Sequence, residues 1–378
     1  MSRKRYRVAE FFAGIGLVRL ALENEGFSVV FANDIEPSKH ALYAANFDDR
    51  DFVLGDVRKV RGSDIPDIEL ATASFPCTDL SLAGLRAGIE GASSGMFWEF
   101  ARVIGEMGER RPATLLLENV IGFASSNDGN DMRGVIRKIN ELGYVCDIIT
   151  MDAKWFVPQS RPRLFIVCSR HSEDSARFSL VSQLRPEWVH RFIEASKDLK
   201  FRTFRLPTPP RSSKTLAGAV ERMPETDERW WDKDRVSAFV ASLSPVQSDR
   251  LRAMREGEKA SWATAYRRTR KGVAVWEIRA DGLSGCLRTA RGGSSKQAVV
   301  EAGGGDVRVR WMTSREYARL QGAPEFKIDG VRESSVLFGF GDGVCVPVIA
   351  WIVKHYLRPI LDGATLEHAS SFTARRAP

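Results

Sequence analysis

A thiol, a carboxylate and a pair of guanidinium groups each stand at the edge of an apolar run in this chain. Cys77 follows a proline in ATASFPCTDLSLAG (71–84), where apolar residues give way to small and polar ones. That stretch alone fits a buried thiol ending a strand as well as a nucleophile at the rim of a sheet. A working thiol needs neighbours that favour its thiolate near neutral pH. Two downstream segments offer them. LLLENV sets Glu118 and Asn119 directly after an apolar run, where a carboxyl can hold or deliver a proton, although a helix cap explains ENV too. QSRPR (159–163) spaces Gln159, Arg161 and Arg163 in alternation, so all three can face one side of an extended segment, as they would in an edge-strand salt bridge.

A second set of residues reads as a nucleotide site. In FFAGIG, Gly14 and Gly16 fall on a strand-to-helix turn, where a bare backbone lets a ligand approach and leaves helix N-terminal amides free. The third glycine of the dinucleotide fingerprint is missing, because position 19 is arginine. A pyrophosphate is therefore disfavoured while an adenosine-bearing cofactor is retained. Asp34, at the end of the next strand, stands where an acidic side chain takes ribose hydroxyls, and Asp56 in GDV can offer its carboxylate to an adenine amino group.

The elements that must position these groups follow from periodicity. From RVAEFFAG to RLFIVCS, short β-rich apolar runs alternate with helical patterns such as LVRLALENEG, GMFWEFARVIGEMGER and DMRGVIRKINELG. This is an α/β architecture, a wound sheet with helices on both faces, and open sheets of this kind carry their chemistry at the carboxyl ends of the strands. Around residue 172 the alternation stops. LPTPPRSSK and long charged stretches fill the region to about 310, which reads as a smaller, less regular unit. TSREYARLQG then reads as a helix, FGFGDGVCVP (338–347) as a turn-rich stretch, and VIAWIVKHYLRPIL as an amphipathic helix.

The 378 residues are 43% hydrophobic and 28% charged, an ordinary globular composition that argues against disorder. No apolar run is read as approaching a membrane span, and the N-terminus passes straight into a core strand without a signal-peptide pattern. Five cysteines form no CxxC pair, so neither a disulfide framework nor a zinc cluster is indicated, and no metal is expected. A net charge of +8 favours a polyanionic partner, the more so because YRRTRKG (266–272), RTARGGSSKQ (288–297) and VRVRW (307–311) gather basic residues in one later stretch. Such segments suit phosphate contacts, the plainer alternative being a solvated basic face.

In their order along the chain, FFAGIG, Asp34, Asp56, FPCTDLS, ENV, QSRPR, TSREYARLQGAPEF and GDGVCVPV resemble the DNA cytosine-5 methyltransferases, over residues 8 to about 350. The resemblance implies a Rossmann-like S-adenosylmethionine-dependent fold: a catalytic cofactor-binding unit at 1–175, a target-recognition unit at 176–310, a segment at 311–362 completing the catalytic unit, and a tail at 363–378. It implies methyl transfer from S-adenosylmethionine, leaving S-adenosylhomocysteine, to carbon 5 of a flipped-out cytosine in double-stranded DNA. Cys77, Glu118, Arg161 and Arg163 are the implied catalytic residues. The cofactor would meet Phe12, Ala13, Gly14, Ile15, Gly16, Asp34, Ile35, Asp56, Val57, Pro76, Asp342 and Val344. DNA would meet Thr78, Ser81, Arg288, Arg291, Ser294, Ser295 and Lys296. Two positions depart from the family's pattern: Thr78 stands where glutamine is usual and Asp342 where asparagine is usual.

The expected setting is a bacterial or phage restriction-modification system, with a monomer acting on DNA in the cytoplasm, away from membranes, beside a separate cognate endonuclease. A tRNA cytosine-5 methyltransferase of the same fold is the alternative, disfavoured by the length of the recognition region. A nicotinamide-dependent oxidoreductase would share the sheet but has no use for Cys77, Glu118 and Arg163 together.

Overall fold

The computed structural model describes residues 4–76, 95–170, 181–270, 272–288 and 296–363. Seven strands, β1 (Arg7–Phe11), β2 (Ser28–Asp34), β3 (Phe52–Leu54), β4 (Leu70–Ala73), β5 (Thr114–Val120), β6 (Val145–Asp152) and β7 (Pro162–Ser169), form one sheet. Its order is β3-β2-β1-β4-β5-β7-β6. Strands β1 to β5 are parallel, while β7 runs antiparallel to both β5 and β6. The reversal has a direct consequence for chemistry, because the first residues of β7 come to the same edge as the last residues of β1, β2, β4 and β5.

Alternate residues of each strand feed opposite faces of the sheet. Val8, Leu70, Leu116 and Phe165 enter one core with Leu17, Ala21 and Leu22 of helix α1 (Leu17–Asn24). Ala9, Ala71, Leu115, Leu117 and Ile166 enter the other, with α3 (Gly95–Glu106) and α4 (Asn130–Glu141). Between these, α2 (Pro37–Asn46) follows β2. In α3 the residues Phe97, Phe100, Ala101 and Ile104 recur at helical spacing and are all buried. At about 1.5–3 kcal/mol for each large apolar side chain removed from water, burial on two faces makes the sheet a stiff platform.

The later region is more regular than its sequence suggests. After α5 (Glu187–Ala195), α6 (Leu216–Ala219), α7 (Lys233–Ala241) and α8 (Pro245–Arg255), an antiparallel sheet follows. It contains β8 (Ser261–Arg270), β9 (Val273–Ile278), β10 (Gln297–Gly303) and β11 (Asp306–Trp311) in the order β11-β10-β8-β9. Its inner face is built from Ala263, Ala265, Ala298, Ala302 and Val300 against Trp231 and Phe239. Alanine carries little strand signal, and the arginines of the outer face hide the alternation further.

The chain returns to the first core through α9 (Ser314–Leu320), α10 (Glu333–Asp342), α11 (Val346–Ile352) and α12 (Arg358–Leu361). Tyr317, Leu337, Phe340, Ile349 and Ile352 share that core with α1. The stretch 338–347 corrects its sequence reading, for α10 runs through Asp342 and only the residues 343–345 turn. The glycines are there for proximity: a Cβ on Gly339 would lie 2.4 Å from Ile15 Cγ2, and one on Gly343 2.6 Å from Leu17 Cδ1. By length and composition an 18-residue window within Glu333–Leu361 is apolar enough to cross a bilayer, but 72% of that window is buried inside the fold, as the core helices of a soluble protein are.

Candidate active site at the sheet edge

The turn after β1 is tied to the next two strand ends. Ala13 N donates to Asn33 O and Gly14 N to Asp34 Oδ2, at 2.9 and 2.8 Å. The other carboxylate oxygen of Asp34 accepts from Glu36 N, and Asn33 Nδ2 donates to the carbonyls of Val53 and Gly55. Phe12, Gly14 and Gly16 all have positive φ, at 56°, 58° and 85°. This backbone favours glycine, so Phe12 marks a strained strand end of the kind that accompanies function. A Cβ on Gly14 would meet nothing within 4 Å, leaving open space beside the turn, whereas Gly16 is closed off by Tyr43 and Phe47.

The remaining cofactor candidates surround that space unevenly. Ile35 is 63% exposed, and Pro76 is exposed too. Ala13, Ile15, Val57 and Val344 are buried, so they can offer only backbone or shape. Asp56 is not idle. It accepts from Arg58 N and from the Arg58 guanidinium, and these bonds hold its carboxyl below the usual carboxylate range. Asp342 forms an ion pair with Lys39 at 2.9 Å, which gives the aspartate its own local partner. Gly14's open flank, exposed Ile35 and two strand-end carboxylates fit an adenosine with a sulfonium tail and build no phosphate cradle.

Glu118 closes β5 and Arg163 opens β7, and the two form an ion pair, Nε to Oε1, at 3.0 Å. Their side chains are 12% and 15% exposed, so the pair is sheltered without being sealed. Next to Glu118, Asn119 donates to Phe75 O at 3.3 Å and so fixes the approach to the segment that follows. Cys77, Thr78, Ser81, Arg291, Ser294 and Ser295 lie outside the described residues.

Arg161, the other arginine expected to be catalytic, has its guanidinium engaged inside the protein. It is buried and donates to the carbonyls of Leu287, Gly341 and Gly343. Burial and then the charge of Arg163 push its guanidinium down to about 10. Gln159 does similar work, donating to Leu320 O and accepting from Leu287 N. Alternation in QSRPR thus gives three different environments, because β7 begins only at Pro162.

The basic segments divide as well. Arg288 is exposed and Lys296 half-buried, and Arg267, Arg268 and Arg270 are exposed on β8. In VRVRW, however, Arg310 is wholly buried against Glu316 and Arg308 pairs with Glu225 and Glu301. That segment is not a phosphate-contact surface.

Several residues missed by the sequence reading sit in the same region. Arg58, Lys39 and Cys286 carried no motif. Glu10 lies on β1, is 1% exposed, and burial pushes its carboxyl up to about 8 against the opposing pull of Arg19. Its signal in the sequence was a lone acidic residue inside an otherwise apolar strand.

A wound α/β sheet with its charged side chains gathered at one edge is the class of fold that these elements define. Two solved structures share the fold: Schizosaccharomyces pombe (S. pombe) Dnmt2 methyltransferase, with a TM-score of 0.60 at 18% identity, covering 94% of this chain and 99% of that one; and a putative DNA modification methyltransferase of an Escherichia coli prophage, with a TM-score of 0.58 at 17% identity and the same coverage. Among sequence relatives, the Type II methyltransferase M.Bsp6I of Bacillus sp. is 26% identical over 94% of this chain and 99% of its own length. M.NgoBI of Neisseria gonorrhoeae is 29% identical over 91% and 90%. The family model for C-5 cytosine-specific DNA methylases matches residues 6–358. The chain belongs to that family and is a DNA cytosine-5 methyltransferase.

Proposed function

We propose that this enzyme methylates carbon 5 of cytosine within a specific duplex sequence, as the modification half of a restriction-modification pair, through a covalent adduct at Cys77 on a base turned out of the helix. The observation that carries the reading is the Glu118–Arg163 pair at the sheet edge, two residues of opposite charge held beside the strand end that leads to Cys77. Cytosine C5 is a weak nucleophile until the ring is made enamine-like. In this reading the Cys77 thiolate adds to C6, Glu118 holds a proton at ring N3, and Arg163 donates to O2, so the charge gathered on the ring is neutralised where it develops. S-adenosylmethionine, when bound, supplies the electrophilic methyl group that C5 takes. Loss of the C5 proton then lets the Cys77 sulfur leave with its electron pair and restores the ring.

Asp34 and Asp56 would orient the adenosine of that cofactor, with Gly14 admitting it. Because the target atoms lie within the base stack, extrusion of the base costs about a few kcal/mol, which contacts elsewhere must supply. We assign that task to the region 176–310, with exposed Arg288 and half-buried Lys296 as candidate DNA contacts, and the chemistry to 1–175 together with 311–362. The test is transfer of labelled methyl from S-adenosylmethionine to duplex DNA and, in parallel, to tRNA. Incorporation into duplex DNA as 5-methylcytosine, abolished by Cys77→Ser, is expected. Exclusive labelling of tRNA, or of neither, overturns the reading.

A further inference from the structure

Cys286 is a second thiol at the same edge, one for which the chemistry above has no use. Its Sγ lies 3.3 Å from Arg161 Nη1 and 3.9 Å from both Nη1 and Nη2 of Arg163. The sulfur therefore sits between two guanidinium groups, one pinned in the interior and one paired with Glu118. We propose that Cys286 is a positioning residue for methyl transfer, its sulfur holding the outer fork of Arg163 so that Nε stays on Glu118.

The geometry makes the sulfur a fixed point. Ser284 N donates to Pro158 O and Ser160 N to Ser284 O, while Gln297 clasps Gly285 from both sides. On the far side, Leu287 is held by Gln159 through its amide and by Arg161 through its carbonyl. Cys286 is thus anchored at both flanks against the start of β7. Among the described residues Arg163 has few other restraints: Nη1 reaches its neighbour's carbonyl, Pro162 O, besides the sulfur, and Nε reaches Glu118.

Electrostatics gives the arrangement a reason. Arg161 and Arg163 carry like charges side by side, one of them out of water, and such pairs need an intervening acceptor. Burial raises the Cys286 thiol, but Arg161, Arg163 and Arg288 outweigh it and the net shift is downward. Glu118 faces the same cluster from β5, so a carboxylate and a sulfur acceptor stand against two buried or sheltered guanidiniums. Removing the sulfur leaves Arg163 repelled by Arg161, with Pro162 O as the remaining acceptor for its outer fork among the described residues.

This inference rests on the proposed reaction and is tested with the full-length enzyme on duplex DNA. Cys286→Ala removes the acceptor, and a misaligned Arg163 is expected to lower kcat about tenfold or more. KM for DNA and for S-adenosylmethionine should stay within about twofold, with an unchanged melting temperature, since only an orientation is lost. Cys286→Ser keeps an acceptor and should recover most of kcat. If the alanine variant does not fold, Cys286→Val restores the volume without the acceptor and should show the same loss. An alanine or valine variant with wild-type kcat, or a serine variant as impaired as they are, overturns the role of Cys286. A wild-type enzyme that fails to methylate duplex DNA overturns instead the reading on which the role depends.

Discussion

Two arginine–glutamate pairs in this enzyme have the same chemistry and opposite fates. Arg310 and Glu316 tie the second sheet to α9 and are 0% and 1% exposed. Both carboxylate oxygens of Glu316 are filled by Arg310, by Thr313 N and by Glu221 N, and Arg310 also donates to the carbonyls of Glu221 and Trp311. Glu118 and Arg163 meet through one contact at the rim, and among the described residues Glu118 has no second partner. A pair whose carboxylate is filled on both oxygens is a fastening, even with Arg310 Nε left without a partner among the described residues. A pair left with spare capacity, sheltered from bulk water, can take a substrate.

That difference is breakable from both ends. Glu316→Gln should lower stability by about 3–5 kcal/mol, because it strands a buried guanidinium, while the folded fraction methylates with unchanged kcat. Denaturant unfolding beside single-turnover kinetics reads both quantities. Glu118→Gln should do the reverse, lowering kcat on the order of 10²–10³-fold through loss of its proton-holding role with little change in melting temperature.

Glu10 sharpens the comparison as a buried carboxyl without a dedicated cation. Its folded pKa, about 8, lies above its unfolded value of 4.5, so the folded state binds the extra proton. Stability from this group is fully present below about pH 4.5 and is lost as pH rises toward 8. Glu10→Gln should therefore gain on wild type as pH rises through that window, reaching on the order of 4 kcal/mol at the alkaline end. Thermal melts of both proteins at pH 5 and pH 8 measure the gap, and a gap that shrinks with pH contradicts the assignment. The smallest effect belongs to the partly exposed Lys39–Asp342 pair, where Asp342→Asn should change stability by less than about 1 kcal/mol and leave cofactor KM within about twofold.

The sequence made one of these two pairs legible and hid the other. ENV and QSRPR each end or begin a strong apolar run, so their arrival at a sheet edge follows from periodicity and the wound-sheet rule. That they meet depends on β7 entering antiparallel between β5 and β6, a tertiary choice no local pattern announces. Arg310 lies in VRVRW, whose composition reads as a basic surface, and only β11's pairing with β10 turns it inward. The burial of Arg161 was hidden for a related reason, since alternation predicts a shared face only where the strand has already begun. Asp34 and the glycine turn were readable because their spacing is local to one βαβ unit. Cys286 was not, because its significance comes entirely from residues more than a hundred positions away.

The central claim is that the open pair serves a sulfur that attacks cytosine. Duplex DNA carrying 5-fluorocytosine, incubated with the enzyme and S-adenosylmethionine, tests it most directly, because fluorine blocks the final elimination. A denaturation-resistant protein–DNA adduct that peptide mapping assigns to Cys77, weakened by Glu118→Gln and untouched by Glu316→Gln in the folded fraction, is the predicted result. Methylation of ordinary duplex DNA with no such adduct, or an adduct at another residue, contradicts the account.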